Sequence, residues 1–259
     1  METKTPAENR LNRFNDRVSD YIKFRPDYPL VAVEWIKKMC NLPANSIIAD
    51  IGSGTGIFTR HLVNGAHTFY GIEPNNQMRV AAEELLSGFQ NFTSMEGNSE
   101  STGLPDASID LICAAQAFHW FKQEIAKVEF NRILKKPGYL ALLWNDRKTD
   151  SSQFLKEYEE LIIRNATDYK QVNHKQFSLE VVQAFCGDNV VIHHKFHNEQ
   201  ILDFKSLMGR LFSSSYIPNK PAAKVEQIKT ELKQLFDQYH QNGKVVIEHN
   251  TVVYVCQLK

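Results

Sequence analysis

The chain has 259 residues, 42% hydrophobic and 23% charged, which is enough for a full core in one embellished domain and argues against two equal domains. Lys plus Arg and Asp plus Glu both count 30, so the formal net charge is zero and no overall field draws the protein to nucleic acid or an anionic membrane. The polar opening METKTPAENR lacks the apolar stretch of a secretory leader, and no run approaches the roughly 18 apolar residues of a membrane span, so a cytoplasmic protein is expected.

In chain order, NRFNDRVSDYIKFRPDYP reads as an amphipathic segment terminated by Pro26 and Pro29, a lid that docks on a sheet rather than continuing it. From about Leu30 to Trp144, short β-rich runs (SIIADI, TFYGIE, IDLICAA, YLALLW) alternate with helical patterns (FTRHLVN, NQMRVAAEELLSGF, QEIAKVEFNRILK), the signature of βαβ units and a parallel sheet. Gly65 is expected to close a helix beginning near Ile57, Gly88 one from Asn75, and Pro137-Gly138 one from Lys122. After Arg147, SQFLKEYEELIIRNA, ILDFKSLMGRLF and AAKVEQIKTELKQLFDQYH read as helices of a lid, while VVIHHKFH and TVVYVCQL read as strands that finish the same sheet. SSSYIPNKP reads as a short flexible linker. The division is an N-terminal lid segment over 1–29, a core over 30–148, and a helical cap with closing strands over 149–259, one domain overall.

Cys40, Cys113, Cys186 and Cys256 lie far apart with no CxxC pair, which argues against a zinc site or a disulfide framework and predicts buried free thiols. The nine histidines show no metal-ligand spacing, and His193 and His194, adjacent in a strand, should face opposite sides. No metal is expected.

A strand ending at Ile51, then Gly52, Gly54 and Gly56 and a helix, is a turn whose backbone can approach a ligand at the carboxyl edge of a sheet. A dinucleotide fingerprint would place its third glycine at 57, where Ile57 stands, and no Lys-Ser or Lys-Thr follows as in a phosphate-cradling loop. Glu73 closes the second strand 21 residues after Gly52 and can accept both ribose hydroxyls of a nucleoside; alternatively it is a solvated carboxylate starting a helix at Pro74. A nucleoside without a pyrophosphate fits this loop better than a dinucleotide.

ADIGSGTGIFTRHL, the acid in GIEPNNQM, GNSESTGLPDASIDLICAAQAFHWF and RILKKPGYLALLWN, in order from about Tyr21 to Asn145, together resemble class I S-adenosylmethionine-dependent methyltransferases of the type 11 group. The C-terminal third resembles the subgroup similar to trans-aconitate methyltransferase. The resemblance implies a Rossmann-like α/β fold: a mostly parallel seven-stranded sheet with helices on both faces, an N-terminal helix and a C-terminal helical lid. It further implies S-adenosylmethionine as cofactor, with S-adenosylhomocysteine as product.

Carried over by position, the resemblance implies that Gly52, Ser53 and Gly54, with Thr55 and Gly56, surround the methionine part of the cofactor, and that Asp50 fixes the turn or meets the ammonium. Glu73 would hold the ribose, and Asn98 and Ser99 would meet the adenine; many members have an acid where Asn98 stands. Met78 either covers the adenine or packs as core. Gln116 and Ala117 reach the cofactor, His119 touches cofactor or substrate or is structural, and Trp120 walls the pocket. YIKFRPDYP resembles the family's YxxxRPxYP element, so Tyr21 and Arg25 would close over the methionine carboxylate or the methyl group, the alternative being a helix that only caps the sheet.

Methyl transfer from a sulfonium needs alignment and exclusion of water more than a base. A carboxylate acceptor would be oriented by Arg25, Arg147 or Arg210, whereas a hydroxyl, amine or carbon acceptor would need a base, for which Tyr21 and His119 are the candidates. The favoured reading is a methyltransferase acting on a small molecule, a carboxylic acid among the candidates, with no nucleic-acid or membrane partner. A nicotinamide-dependent oxidoreductase and a noncatalytic S-adenosylmethionine-binding subunit are the alternatives.

Overall fold

A computed structural model describes residues 17–63, 65–167, 169 and 178–258. The elements are α1 (Val18–Phe24), α2 (Leu30–Cys40), β1 (Ile47–Ile51), β2 (Thr68–Ile72), α3 (Asn76–Leu85), β3 (Phe92–Met95), β4 (Ile109–Ala115), α4 (Gln123–Ile133) and β5 (Leu134–Arg147). They continue with α5 (Gln153–Asn165), α6 (Leu179–Cys186), β6 (Val191–Leu202), α7 (Phe204–Phe212), α8 (Ala222–Tyr239) and β7 (Val245–Leu258). The seven strands form one sheet in the order β3-β2-β1-β4-β5-β7-β6, with β7 antiparallel to both its neighbours and the β3 to β5 pairings parallel. The expected Rossmann-like sheet, including its two closing strands, is what the chain builds.

Strand alternation splits the core into two layers. Ile112, Ala114, Leu140, Leu142 and Trp144 pack with Ala126, Phe130 and Ile133 of α4 and Val182 and Phe185 of α6 on one face. Ile48, Leu111, Cys113, Ala141 and Leu143 pack on the other face with Ala32, Val33, Ile36 and Cys40, a single stripe of α2. A third cluster joins α5, α7 and α8 to Leu202, Val245 and Ile247 at the adjoining ends of β6 and β7, and forms the cap. The segment before Leu30 meets this cap through α1 on α7, where a Cβ on Gly209 would come within 2.1 Å of the Phe24 ring. Residues 1–16 of the expected lid segment lie outside the described residues.

Five sequence expectations need correction. No α-helix runs from Ile57 to Gly65; residues 59–61 make one 3-10 turn, because Thr59 turns its hydroxyl onto Asp50 (2.6 Å) and Ile57, Phe58, Leu62 and Val63 all bury toward the sheet. Cys186 and Cys256 are not free thiols but a disulfide joining α6 to β7, with Cα atoms 6.9 Å apart, while Cys40 and Cys113 are free and buried. SSSYIPNKP is no flexible linker, since Ser213, Ser214 and Ile217 are buried and the Ser213 and Ser214 carbonyls accept from Arg25 and Arg17. Ile201 and Leu202 end β6 rather than starting a helix; α7 begins after Asp203, whose carboxylate caps the Ser206 N–H at 2.7 Å. The helix expected to run to Pro137-Gly138 stops at Ile133, and β5 starts at once with Leu134. His193 and His194 do face opposite sides: one ring stacks on Tyr254, the other on Trp35 across the sheet.

Candidate active site

The strand order reverses direction beside β1, whose neighbours are β2 on one side and β4 on the other, and open α/β sheets bind ligands in the crevice outside such a switch point. A cavity of about 540 Å3 lies there, within the range of small-molecule sites. Residues 52–55 after β1, 73–75 after β2, 98–100 after β3 and 115–117 at the end of β4 make its floor and sides. Tyr21, Arg25, Pro26 and Tyr28 of the N-terminal segment also line it.

The glycine turn is held from below. Gly52 and Ser53 donate their N–H groups to the Ile72 carbonyl (2.7 and 3.2 Å), which binds the turn to β2. Gly52 has φ +71°, and a Cβ there would sit 2.6 Å from the Cβ of Ala117, so both the backbone conformation and the space demand glycine. Gln116, opposite, holds φ +56°, a strained value for a side-chain-bearing residue at the mouth of the cavity.

Glu73 is buried rather than solvated, and each of its oxygens accepts a backbone N–H, from Asn75 (2.9 Å) and from Gly54 (3.0 Å). The helix begins later than expected, at Asn76, with the Asn75 side chain accepting from the Met78 N–H at 3.0 Å. Burial raises the Glu73 carboxyl above its usual range, although the two N–H groups oppose the shift.

Asp50 stands behind the turn, fully inside, with Oδ2 accepting from Thr59 and Oδ1 buried without a hydrogen-bond partner. Burial pushes its carboxyl up to about 7, against the Thr59 hydrogen bond and with the Glu73 charge adding to the rise. A folded value above the unfolded one means the protonated form stabilises the fold below about pH 4, and that contribution is lost as pH rises through about 7. Asp50→Asn is therefore expected to melt above the parent at pH 8, by on the order of 4 kcal/mol of stability, with the gap closing near pH 4. Melting temperatures across pH check this; a constant offset would mean that Asp50 does not titrate there.

Of the residues expected at the site, Tyr21, Arg25, Gly52, Ser53, Gly54, Thr55, Glu73, Met78, Asn98, Ser99, Gln116, Ala117 and Trp120 stand on the cavity wall. The Thr55 hydroxyl is buried with no hydrogen-bond partner. Asp50 and Gly56 lie off the wall, and so does His119, whose ring packs on Trp120 with centroids 4.9 Å apart. Arg147 and Arg210 are also off it: Arg147, ending β5, pairs with Glu159, and Arg210, in α7, donates to the Ser214 hydroxyl at 3.2 Å.

The wall also holds residues the sequence reading passed over. Tyr28, the second tyrosine of YIKFRPDYP, packs edge-on against Phe58, with ring centroids 5.1 Å apart. Asn98 spends its side-chain oxygen on the N–H groups of Glu100 and Ser101, both at 2.9 Å, and Glu100 brings a carboxylate to that corner. Glu100 itself accepts from the Ser99 hydroxyl (2.7 Å) and the Lys122 N–H (3.1 Å). Its place inside GNSES is the signal available in sequence; the turn that aims it inward is not.

Comparison with known proteins agrees with this architecture. The model of a methyltransferase domain family matches residues 49–142, the stretch carrying the glycine turn, Glu73 and β4. A methyltransferase-like protein of Schizosaccharomyces pombe, itself uncharacterized, is 28% identical over 228 residues, covering 87% of this chain and 86% of its own. A second uncharacterized methyltransferase of that yeast is 33% identical over 52% of this chain and about half of its own length, 53%. The crystal structure of the YcgJ protein from Bacillus subtilis shares the fold, with a TM-score of 0.58 at 21% identity over 88% of this chain and 98% of that one. With a methyltransferase-domain model matching residues 49–142, a relative aligned along most of both chains, and the sheet order and switch-point cavity above, the chain is similar to the class I S-adenosylmethionine-dependent methyltransferases of the type 11 group.

Proposed function

We propose that this enzyme transfers the methyl group of S-adenosylmethionine, held in the switch-point cavity, to a small-molecule acceptor, with a carboxylic acid as the acceptor class. The observation that carries the reading is Glu73: a buried carboxylate on the cavity wall, braced by the N–H groups of Gly54 and Asn75, with acceptor capacity to spare for a pair of hydroxyls.

The donor set fits the cofactor. Gly52, Ser53, Gly54 and Thr55 would surround its methionine part, where the unpartnered Thr55 hydroxyl offers a donor and an acceptor. Glu73 would hold the ribose, and Met78, Ser99 and Glu100 would border the base. The bound cofactor supplies a methyl group on a sulfonium already activated for displacement. What remains for the chain is to orient the acceptor and keep water out, a task for Tyr21, Arg25 and Tyr28 over the opening and for Trp120 and Phe121 along the wall. A carboxylate acceptor requires no base. For an acceptor that must lose a proton, Tyr21 lines the cavity whereas His119 lies off its wall with its ring against Trp120.

Calorimetry of the purified protein with S-adenosylmethionine, S-adenosylhomocysteine and NAD tests the cofactor assignment. Micromolar binding of both sulfur nucleosides and none of NAD is expected; NAD binding alone would restore the oxidoreductase. Release of S-adenosylhomocysteine with small carboxylic acids, and not with neutral analogues, then tests the acceptor class.

A further inference from the structure

We infer that Arg25, Arg147 and Arg210 together form the subsite that takes an oxyanion group, a carboxylate or a phosphate, of the methyl acceptor. The inference rests on the reading of the adjoining cavity as the S-adenosylmethionine site.

Three distant stretches of chain supply these guanidinium groups: the C-terminal end of α1, the last residue of β5, and α7. They meet beneath the cap: Arg25 and Arg210 bind the consecutive residues Ser213 and Ser214, and Arg147, 5.2 Å over the Tyr158 ring, donates to the hydroxyl of Tyr169, whose ring packs on Tyr216 at 4.8 Å. Among the described residues, Glu159 is the carboxylate that pairs with any of them, through Nη2 of Arg147. Arg25 donates from Nη2 to the Ser213 carbonyl at 3.0 Å, and Arg210 makes its hydrogen bond to the neutral Ser214 hydroxyl. Among the described residues, three guanidinium groups against one carboxylate leave two positive charges without a paired carboxylate.

The unused hydrogen-bond capacity points the same way. Nε of Arg25, Nη1 of Arg147 and Nε of Arg210 are buried donors with no hydrogen-bond partner. A buried cation that lacks a partner is costly, and guanidinium forks match the two-oxygen edge of a carboxylate or phosphate. Burial, with the charges of Arg25 and Arg147, lowers Arg210 to about 10, which still leaves it charged at neutral pH. Arg25 belongs to the cavity wall as well as to this cluster, so an acceptor anchored here reaches from the cap to the cofactor cavity.

Calorimetry with succinate and with inorganic phosphate, at matched ionic strength and with dimethyl succinate as the neutral control, reads the subsite directly. We expect one or both anions to bind the parent chain, the diester not to bind, and Arg210→Gln to lose anion affinity at least tenfold. The affinity of Arg210→Gln for S-adenosylhomocysteine should stay within twofold, and without anion it should melt no lower than the parent, because it removes an uncompensated buried charge; a merely structural arginine would lower it. Binding of phosphate but not succinate supports the subsite and assigns it to phosphorylated acceptors. Absence of anion binding, equal binding of the diester, or an unchanged affinity in Arg210→Gln overturns it. Should that variant not fold, Arg25→Gln carries the expectation for the anion alone, since Arg25 also lines the cofactor cavity. S-adenosylhomocysteine failing to bind the parent overturns the cofactor reading, whereas its binding without any anion binding overturns the subsite alone.

Discussion

Glu73→Ala is expected to weaken S-adenosylmethionine and S-adenosylhomocysteine binding by at least tenfold, read by calorimetry. Two losses combine. The first is the charge-assisted pair of hydrogen bonds to the ribose hydroxyls, each bond to a charged group being worth about 1.5–3 kcal/mol. The second is the brace on the glycine turn, because the Gly54 and Asn75 N–H groups lose the oxygens that hold them at 3.0 and 2.9 Å. Glu73→Gln separates the two: its single amide oxygen keeps one brace and one acceptor, so its affinity should fall between parent and alanine variant. Unchanged affinity in Glu73→Ala would place the ribose elsewhere on the wall.

Gly52→Ala should cost stability and ligand together. Alanine at φ +71° pays about 1–2 kcal/mol for a left-handed backbone. Its Cβ would also meet the Cβ of Ala117 at 2.6 Å, and overpacking of this kind costs about 1–3 kcal/mol. Together about 2–5 kcal/mol is expected, a fall of roughly 4–20 °C in melting temperature for a chain of this size. Relief of the contact would push residues 52–54 away from the end of β4, so cofactor binding should be lost even where the variant stays folded. Ala117→Gly restores the space but not the backbone angle, and the double variant should recover part of the stability. A Gly52→Ala protein that melts and binds as the parent does would mean that the turn is not held in this conformation.

Much of the site is legible in sequence because its parts are local. The run Ile47–Ile51, the glycines after it and the acid at the end of the next strand are each recorded within a few residues, by β-branched apolar content and by backbone freedom. The same local rules misread residues 57–65, where an apolar pattern of helical spacing is bent into a turn by the Thr59 to Asp50 hydrogen bond and by burial on the sheet. They also passed over β3 and α6: four half-exposed residues carry little alternation, and an eight-residue helix is shorter than the window over which periodicity is decided.

The disulfide and the arginine cluster depend on contacts no local pattern records. Cys186 and Cys256 are 70 residues apart and meet only because α6 packs against the end of β7. Arg25 and the Ser213 carbonyl it binds are separated by 188 positions, and although the sequence offers Arg25, Arg147 and Arg210 each as a cation for a carboxylate, nothing in it brings them together. By itself, then, the sequence determined the alternating α/β order, the ligand-facing turn and the acid beside it, since short-range periodicity and backbone sterics act within a few residues. Tertiary structure alone decided that Tyr28, Glu100 and Phe121 join the cavity wall, that His119, Arg147 and Arg210 stand off it, and that Cys186 meets Cys256. Those outcomes follow from how helices and strands pack, which is set by burying apolar faces between segments distant in the chain.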